Sequence, residues 1–250
     1  MTNSKIYIYG KHAVTEAVLN TPHAIEEIMI SQQFDDQAAR DLIRKNAIRT
    51  SFLTNAKMPR EIDSGAVHQG IIALLSFDRL VRPFEEFVKD LEINPDTSLV
   101  ILGEISDPQN VGAIIRSAAG FGVAGVLIPE HNQAQITGSV IKVSAGMAFK
   151  VPLVTVPNVN NAVRDLKERG FWVYGLEGGS KQSITKENFA APTLFIMGNE
   201  EKGIRQKTQE LCDILVSIPI SSRCESLNVG ASAAVALYAW SAKHPKALKK

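Results

Sequence analysis

The chain has 250 residues, of which 45% are hydrophobic and 21% charged, and a formal net charge of +1. This is ordinary composition for a soluble globular protein, with enough length for one large domain or two modest ones; two is the working number. It excludes a global positive field that would pull the chain onto nucleic acid and a bilayer span, since no apolar run approaches roughly 20 residues; with only Cys212 and Cys224 as cysteines, it also excludes a disulfide framework.

The opening stretch, MTNSKIYIYGKH, lacks the apolar core and cleavage site of a signal peptide, so the expected location is the cytoplasm, with no membrane partner. Residues 1–77 read as a small α/β unit with its own core. GKHAVTEAVLN (10–20) has helical spacing, IEEIMI (25–30) is a short strand, and DDQAARDLIRKN (35–46) opens with acidic cap candidates and ends basic, as a helix dipole favours. RTSFL (49–53) and GIIALLSF (70–77) read as further strands. Residues 78–97 mix charges, two prolines and a short amphipathic stretch, a linker composition with room for one helix.

From residue 98 to 250 strands alternate with helical segments. Strands are expected at 98–103, 124–129, 151–156, 171–177, 193–198 and 214–220, and helices at 110–122, 137–149, 158–170, 204–212 and 227–240. Such βα alternation implies a mainly parallel sheet covered on both faces, with ligands in the crevice beyond the carboxyl ends of its strands. Four loops fall there: GEISDPQN (103–110), LEGGSK (176–181), GNEEKG (198–203) and PISSRCESLN (219–228).

The third loop resembles a phosphate cradle but is not one. A Walker loop carries Lys-Ser or Lys-Thr after its last glycine; here Gly203 is followed by Ile204 and Arg205, and Glu200 and Glu201 occupy the place of a triphosphate. The first βα turn has no G-x-G-x-x-G, which disfavours NAD and FAD. The five histidines, at 12, 23, 68, 131 and 244, show no ligand spacing, so no metal is expected. Local basic clusters, Arg40, Arg44, Lys45 and Arg49 and the tail KHPKALKK, are candidates for RNA contact, with a solvated helix face and a solubilising tail as the plain alternative.

In order and spacing, DPQNVGAIIRSAAGFG, LFIMGNEEKGI and IPISSRCESLNVGASAAVALY resemble the three signature motifs of the SpoU (TrmH-type) branch of the SPOUT RNA methyltransferases, over residues 98–243. YGKHAVTEAVL and HQGIIA look like the L30e-like RNA-binding module of the branch that methylates a guanosine of large-subunit ribosomal RNA. The resemblance implies an α/β fold whose C-terminal parallel-sheet domain carries a deep trefoil knot, preceded by the N-terminal L30e-like α/β domain. It implies transfer of a methyl group from S-adenosylmethionine to a ribose 2′-hydroxyl of RNA, 23S rRNA first, by a homodimer in which one protomer contributes to its partner's site. Transfer RNA, an rRNA adenosine, and a non-catalytic RNA-binding factor of the same fold are the alternatives.

The resemblance assigns cofactor contacts to Leu176, Gly198, Asn199, Gly203, Ile218 and Leu227, and catalytic roles to Arg116, Asn110, Glu200, Ser226 and Asn228. A sulfonium cation joined to an adenine suits bare backbone better than a cationic cradle. Arg116 activates the hydroxyl either as a base or, since guanidinium stays protonated, by gripping a phosphate and stabilising the developing alkoxide; both stay open. Glu200 is expected to orient Arg116 or a backbone amide, and Ser226 and Asn228 to fix the last loop. Asn110 also fits a helix N-cap. After Val229 the family commonly continues Ser-Val, whereas this chain has Gly230 and Ala231.

Overall fold

The computed structural model describes residues 5–54, 58–63 and 65–249. Residues 1–4, from which the N-terminal expectation was partly drawn, and Lys250 of the basic tail lie outside the described residues. The chain begins with β1 (Lys5–Tyr9), α1 (Lys11–Asn20), β2 (Ile25–Ile30), α2 (Gln37–Lys45), β3 (Thr50–Phe52) and β4 (Ile71–Ser76). Among the described residues these strands form a four-stranded sheet in the order β1-β4-β2-β3, antiparallel except for β2–β3. Asp36 caps α2 by accepting the Ala39 N–H at 2.9 Å, as its acidic start foretold.

The stretch of linker composition is ordered onto the larger unit. It holds α3 (Phe77–Leu80), β5 (Arg82–Pro83) and α4 (Phe84–Asp90). β5 adds to the edge of the large sheet beside β8, and α4 buries Phe84, Phe87 and Val88. Phe87 packs over Gly125 at the start of the next strand but one. We expect Phe87→Ala to cost about 3 kcal/mol, because a buried aromatic lost from a closed site leaves a cavity; denaturant unfolding would measure it.

The remainder runs β6 (Ser98–Leu102), α5 (Pro108–Gly120), β7 (Gly125–Pro129), α6 (Gly138–Val143), β8 (Leu153–Val156), α7 (Val159–Glu168), β9 (Trp172–Leu176), β10 (Gln182–Ser183), β11 (Thr193–Met197), α8 (Gln206–Gln209), β12 (Ile214–Ser217) and α9 (Val229–Ser241). Its sheet, eight-stranded among the described residues, has the order β10-β12-β9-β11-β6-β7-β8-β5, and every pairing is parallel. The central strands are buried on both faces, and their side chains alternate between two cores: Leu99, Ile101, Leu194 and Ile196 join α4 and α7, while Val100, Leu102, Phe195 and Met197 join α5 and α9. This second core continues without a break into Ile8 and Val14 of the N-terminal unit, where α6 lies against β1.

Two local expectations are corrected. The helix expected over 204–212 is only Gln206–Gln209, because Ile204 is buried under β9 beside Gly175 and takes the chain out of helical register. Asn110 is not an N-cap: the cap of α5 is Asp107, which accepts the Gln109 N–H at 2.8 Å ahead of Pro108, and Asn110 is buried inside the first turn.

Candidate functional site

The order of the large sheet reverses between β11 and β6, whose continuations run to opposite sides, and the loops beyond these carboxyl ends form the site. A cavity of about 560 Å³ opens beyond β9, β11 and β12. Leu176, Gly198, Asn199, Gly203, Ile218 and Leu227 all line it, as do Glu200, Ser226 and Asn228. Asn110 and Arg116 do not.

The loop after β11 is closed on itself. Asn199 and Gly203 exchange backbone hydrogen bonds of 2.9 and 3.0 Å, and the Asn199 Oδ1 accepts the Glu201 and Lys202 N–H groups at 3.1 Å each. Gly203 takes φ of +65°, and a Cβ on Gly198 would lie 2.5 Å from the Gly203 carbonyl carbon. Backbone therefore forms this wall of the cavity, as a ligand approached through bare peptide groups requires.

Glu200 is the hub of the site. Its carboxylate accepts from the Asn110 Nδ2 at 2.9 Å, the Ser106 N–H and Oγ at 3.2 and 3.1 Å, the Asp107 N–H at 3.3 Å and the Asn199 Nδ2 at 3.2 Å. A negative group at the N-terminus of α5 also complements its dipole. Burial raises the Glu200 carboxyl, but the hydrogen bonds from Asn110 and the backbone amides outweigh it and hold the group below its ordinary value.

From Asn110 the network continues to the last helix. The Asn110 Oδ1 accepts the Asn228 Nδ2 at 2.8 Å, and the Asn228 Oδ1 caps α9 by accepting the Gly230 and Ala231 N–H groups at 2.9 and 3.2 Å. Gly230 faces Ala113 of α5, where an added Cβ would stand 3.1 Å from the alanine methyl. Three loops far apart in sequence are thus tied into one unit through Glu200, Asn110 and Asn228.

A carboxyl depressed in the folded state adds stability that is fully present above its unfolded value, about pH 4.3, and lost as pH falls through the lower folded value. The stability difference between wild type and Glu200→Gln is expected to be constant from neutral pH to about 5 and to shrink below about 4; urea unfolding across that range would measure it.

Arg116 is exposed on α5, one turn beyond Ala113, and makes no hydrogen bond or ion pair among the described residues. Of the two expected targets of Glu200, the carboxylate reaches amides and not Arg116. The Ser226 carbonyl accepts the Cys224 thiol at 2.9 Å. The basic residues of the first unit are partly spent internally: Arg40 donates to the Phe34 carbonyl at 2.7 Å, Arg44 pairs with Asp41 at 3.0 Å and Arg49 with Glu27 at 3.9 Å.

Sequence reasoning missed Glu104, which adopts φ of +63°, receives the Asn199 side chain on its carbonyl at 2.8 Å and pairs with Arg205 at 2.8 Å. Nothing in its spacing marks it. Asp107 could have been found from the Asp-Pro pair that opens α5. No helix among the described residues is long and apolar enough to cross a membrane.

Known proteins match the chain in the same two parts. A model of the SpoU rRNA Methylase family matches residues 97–238, and a model described as RNA 2'-O ribose methyltransferase substrate binding matches residues 7–80. The 23S rRNA (guanosine-2'-O-)-methyltransferase RlmB of Neisseria meningitidis serogroup B is 36% identical over 233 residues, covering 92% of this chain and 92% of its own. The RlmB of Escherichia coli K12 is 34% identical over 236 residues, covering 92% and 96% respectively. The crystal structure of the SpoU methyltransferase AviRb from Streptomyces viridochromogenes with AdoMet shares the fold at a TM-score of 0.80 and 21% identity, over 97% of this chain and 92% of its own.

Proposed function

We infer the reaction from one premise: the chain belongs to the SpoU rRNA methylase family. It is an S-adenosylmethionine-dependent methyltransferase acting on a ribose 2′-hydroxyl of ribosomal RNA. We place the target in 23S rRNA, at a guanosine, because relatives of that activity match nearly the whole chain, the N-terminal unit included. That end-to-end match favours this substrate over transfer RNA and over an rRNA adenosine.

The observation that carries the site assignment is the single cavity on which the Gly198–Gly203 loop, Leu176, Ile218 and Leu227 converge. Its lining fits S-adenosylmethionine: apolar side chains for an adenine, bare backbone at the glycines, and an acidic surround in which Glu177, Glu201 and Glu225 outnumber Lys202, for a cationic ligand. When bound, the cofactor supplies an electrophilic methyl group. The chain's part is to hold it through Leu176, Gly198, Asn199, Gly203, Ile218 and Leu227, and to align and polarise the hydroxyl. Asn110, Glu200 and Asn228 act as positioning residues that fix the loops, Ser226 faces the cavity for substrate, and Arg116 stabilises the developing alkoxide.

Arg116 lines no part of its own chain's cavity, and α9, which packs on α5, exposes Ala231, Val235 and Tyr238. Tyr238 is 61% exposed, unusual for a ring on so apolar a helix. A two-fold pairing through α5 and α9 covers these residues and brings Arg116 to the partner's cavity. The same reasoning extends to the chain path: β12 lies beyond β9, yet α9 returns to pack on α5, a return that supports a deep trefoil knot despite the rarity of knots. The mixed α/β sheet of residues 5–76 supports an L30e-like module that captures RNA, and action on ribosomal RNA supports a cytoplasmic location.

The test is methyl-labelled S-adenosylmethionine with total RNA from cells lacking the gene, fractionated into large rRNA, small rRNA and tRNA. Alkali-resistant label confined to large rRNA is expected. Label in tRNA alone would overturn the substrate, and no label in any fraction would overturn the enzyme.

A further inference from the structure

A second cavity, of about 710 Å³, lies between the N-terminal unit and the start of α6, and shares no lining residue with the first. Its walls come from the end of β1, the first turn of α1, the segment before β4, and α6 with the turn after it. Two contacts hold these walls together. Gly138 touches the backbone of β1 so closely that a Cβ there would stand 2.1 Å from the Tyr7 carbonyl oxygen, and Lys150 pairs with Glu16 at 2.8 Å. The cleft is therefore a formed feature of the joint between the two units.

We propose that this cleft is a subsite for one unpaired RNA nucleotide, engaged by Tyr9, His12, Val67, Gln69 and Lys142. The proposal rests on the RNA methyltransferase assignment above. The half-buried Tyr9 ring and the exposed His12 imidazole offer faces on which a base stacks. Val67 is 79% exposed, so it does no packing within the chain while presenting an apolar surface to the cleft. Gln69 accepts the Lys11 backbone N–H at 2.9 Å through Oε1, and its amide N–H groups have no partner among the described residues, which leaves them for a base edge. The Lys142 ammonium stands over the Tyr9 ring, 5.6 Å from its centroid, and a base that stacks on this face displaces it toward the attached phosphate. Asp63, also on the wall, repels a phosphate and accepts from base N–H groups, so the base points inward and the phosphate toward Lys142.

This combination of ring face, amide edge and one cation is what an unstacked nucleotide needs; a lipid chain or apolar helix would need a continuous apolar lining. The cleft also places RNA contact where the cations of α2 do not, since Arg40 and Arg44 are engaged within the unit.

The test uses the full chain with three variants, Tyr9→Ala, Val67→Asp and Lys142→Ala, and two readouts. With a large-subunit rRNA transcript as substrate, Val67→Asp and Tyr9→Ala are expected to raise KM for RNA about tenfold, with kcat and cofactor affinity within about twofold of wild type. With a fluorescein-labelled single-stranded RNA dodecamer, affinity is expected to fall by the same factor, and Lys142→Ala to reduce the salt slope by about one. Val67 is exposed enough for its variant to fold, which an unchanged melting temperature confirms. Wild-type affinity in Val67→Asp and Tyr9→Ala overturns the subsite while leaving the enzyme assignment intact. Loss of dodecamer binding in these variants, in a wild type that methylates no RNA, overturns the enzyme assignment and keeps the subsite. A wild type that binds no single-stranded RNA overturns the subsite as well.

Discussion

Arg116→Ala is expected to lower kcat by about a hundredfold to a thousandfold, the range seen when one donor to a developing oxyanion is removed, and to leave cofactor affinity unchanged. The residue is exposed and lines no part of the cofactor cavity, so its loss disturbs neither packing nor the loops around the ligand. Guanidinium also has no lone pair to take the hydroxyl proton at working pH, so the role proposed for it is charge aimed at oxygen. Arg116→Lys keeps the charge and loses the planar fork, and should recover only a small part of the rate. Single-turnover methylation of an rRNA transcript, with cofactor binding followed by calorimetry, separates the two quantities. A kcat within about threefold of wild type would remove Arg116 from the chemistry. Mixing Arg116→Ala chains with cavity-defective Gly198→Ala chains then tests sharing between protomers: a shared site restores about a quarter of wild-type activity in random dimers, because half are mixed and each carries one intact site.

Gly198→Ala is the second large effect, and it falls on the other half of the reaction. A methyl carbon at residue 198 would stand 2.5 Å from the Gly203 carbonyl carbon and 2.7 Å from the Ile204 nitrogen, both backbone, so the Asn199–Gly203 loop must open to admit it. That loop forms one wall of the cavity and carries Glu200, so opening it also displaces the carboxylate that holds Asn110. Cofactor affinity is expected to fall by at least about a hundredfold, equivalent to about 2.7 kcal/mol. Gly203→Ala is the contrast. It meets no atom within 4 Å and bears only the cost of its φ of +65°, about 1 kcal/mol, so its cofactor affinity should stay within about tenfold of wild type. Equal losses in the two variants would show that flexibility, and not close approach, is what Gly198 provides.

Much of this architecture was legible because buried parallel strands leave strong signals. SLVIL and TLFIM are apolar at every position since both faces are covered, and the βα alternation of residues 98–241 then fixes where the crevice lies. The six residues proposed to hold the cofactor stood out as motif residues, and all six line one cavity. Other features were hidden for physical reasons. β1 is short and half polar, and its strand character comes from pairing with β4, a partner 60-odd residues away. β5 is two residues long, one of them proline, and exists only because β8 offers an open edge. The helical spacing of IRQKTQELC is real, yet Ile204 is drawn into the core and the helix shrinks to four residues. Asn110 had the chemistry of a cap, but the Asp-Pro pair before it took that position and freed its side chain to bridge Glu200 and Asn228.

The hydrogen bonds of that bridge span 90 and 118 residues of chain. During synthesis at about 5–20 residues per second, Asn110 waits roughly 6 to 24 seconds for Asn228 to be made. Through that interval the parallel strands can already pair and bury their side chains, whereas the loop that completes the cofactor cavity does not yet exist. A chain that ends before residue 228 is therefore expected to keep most of its core and to lack the loop that completes the cavity.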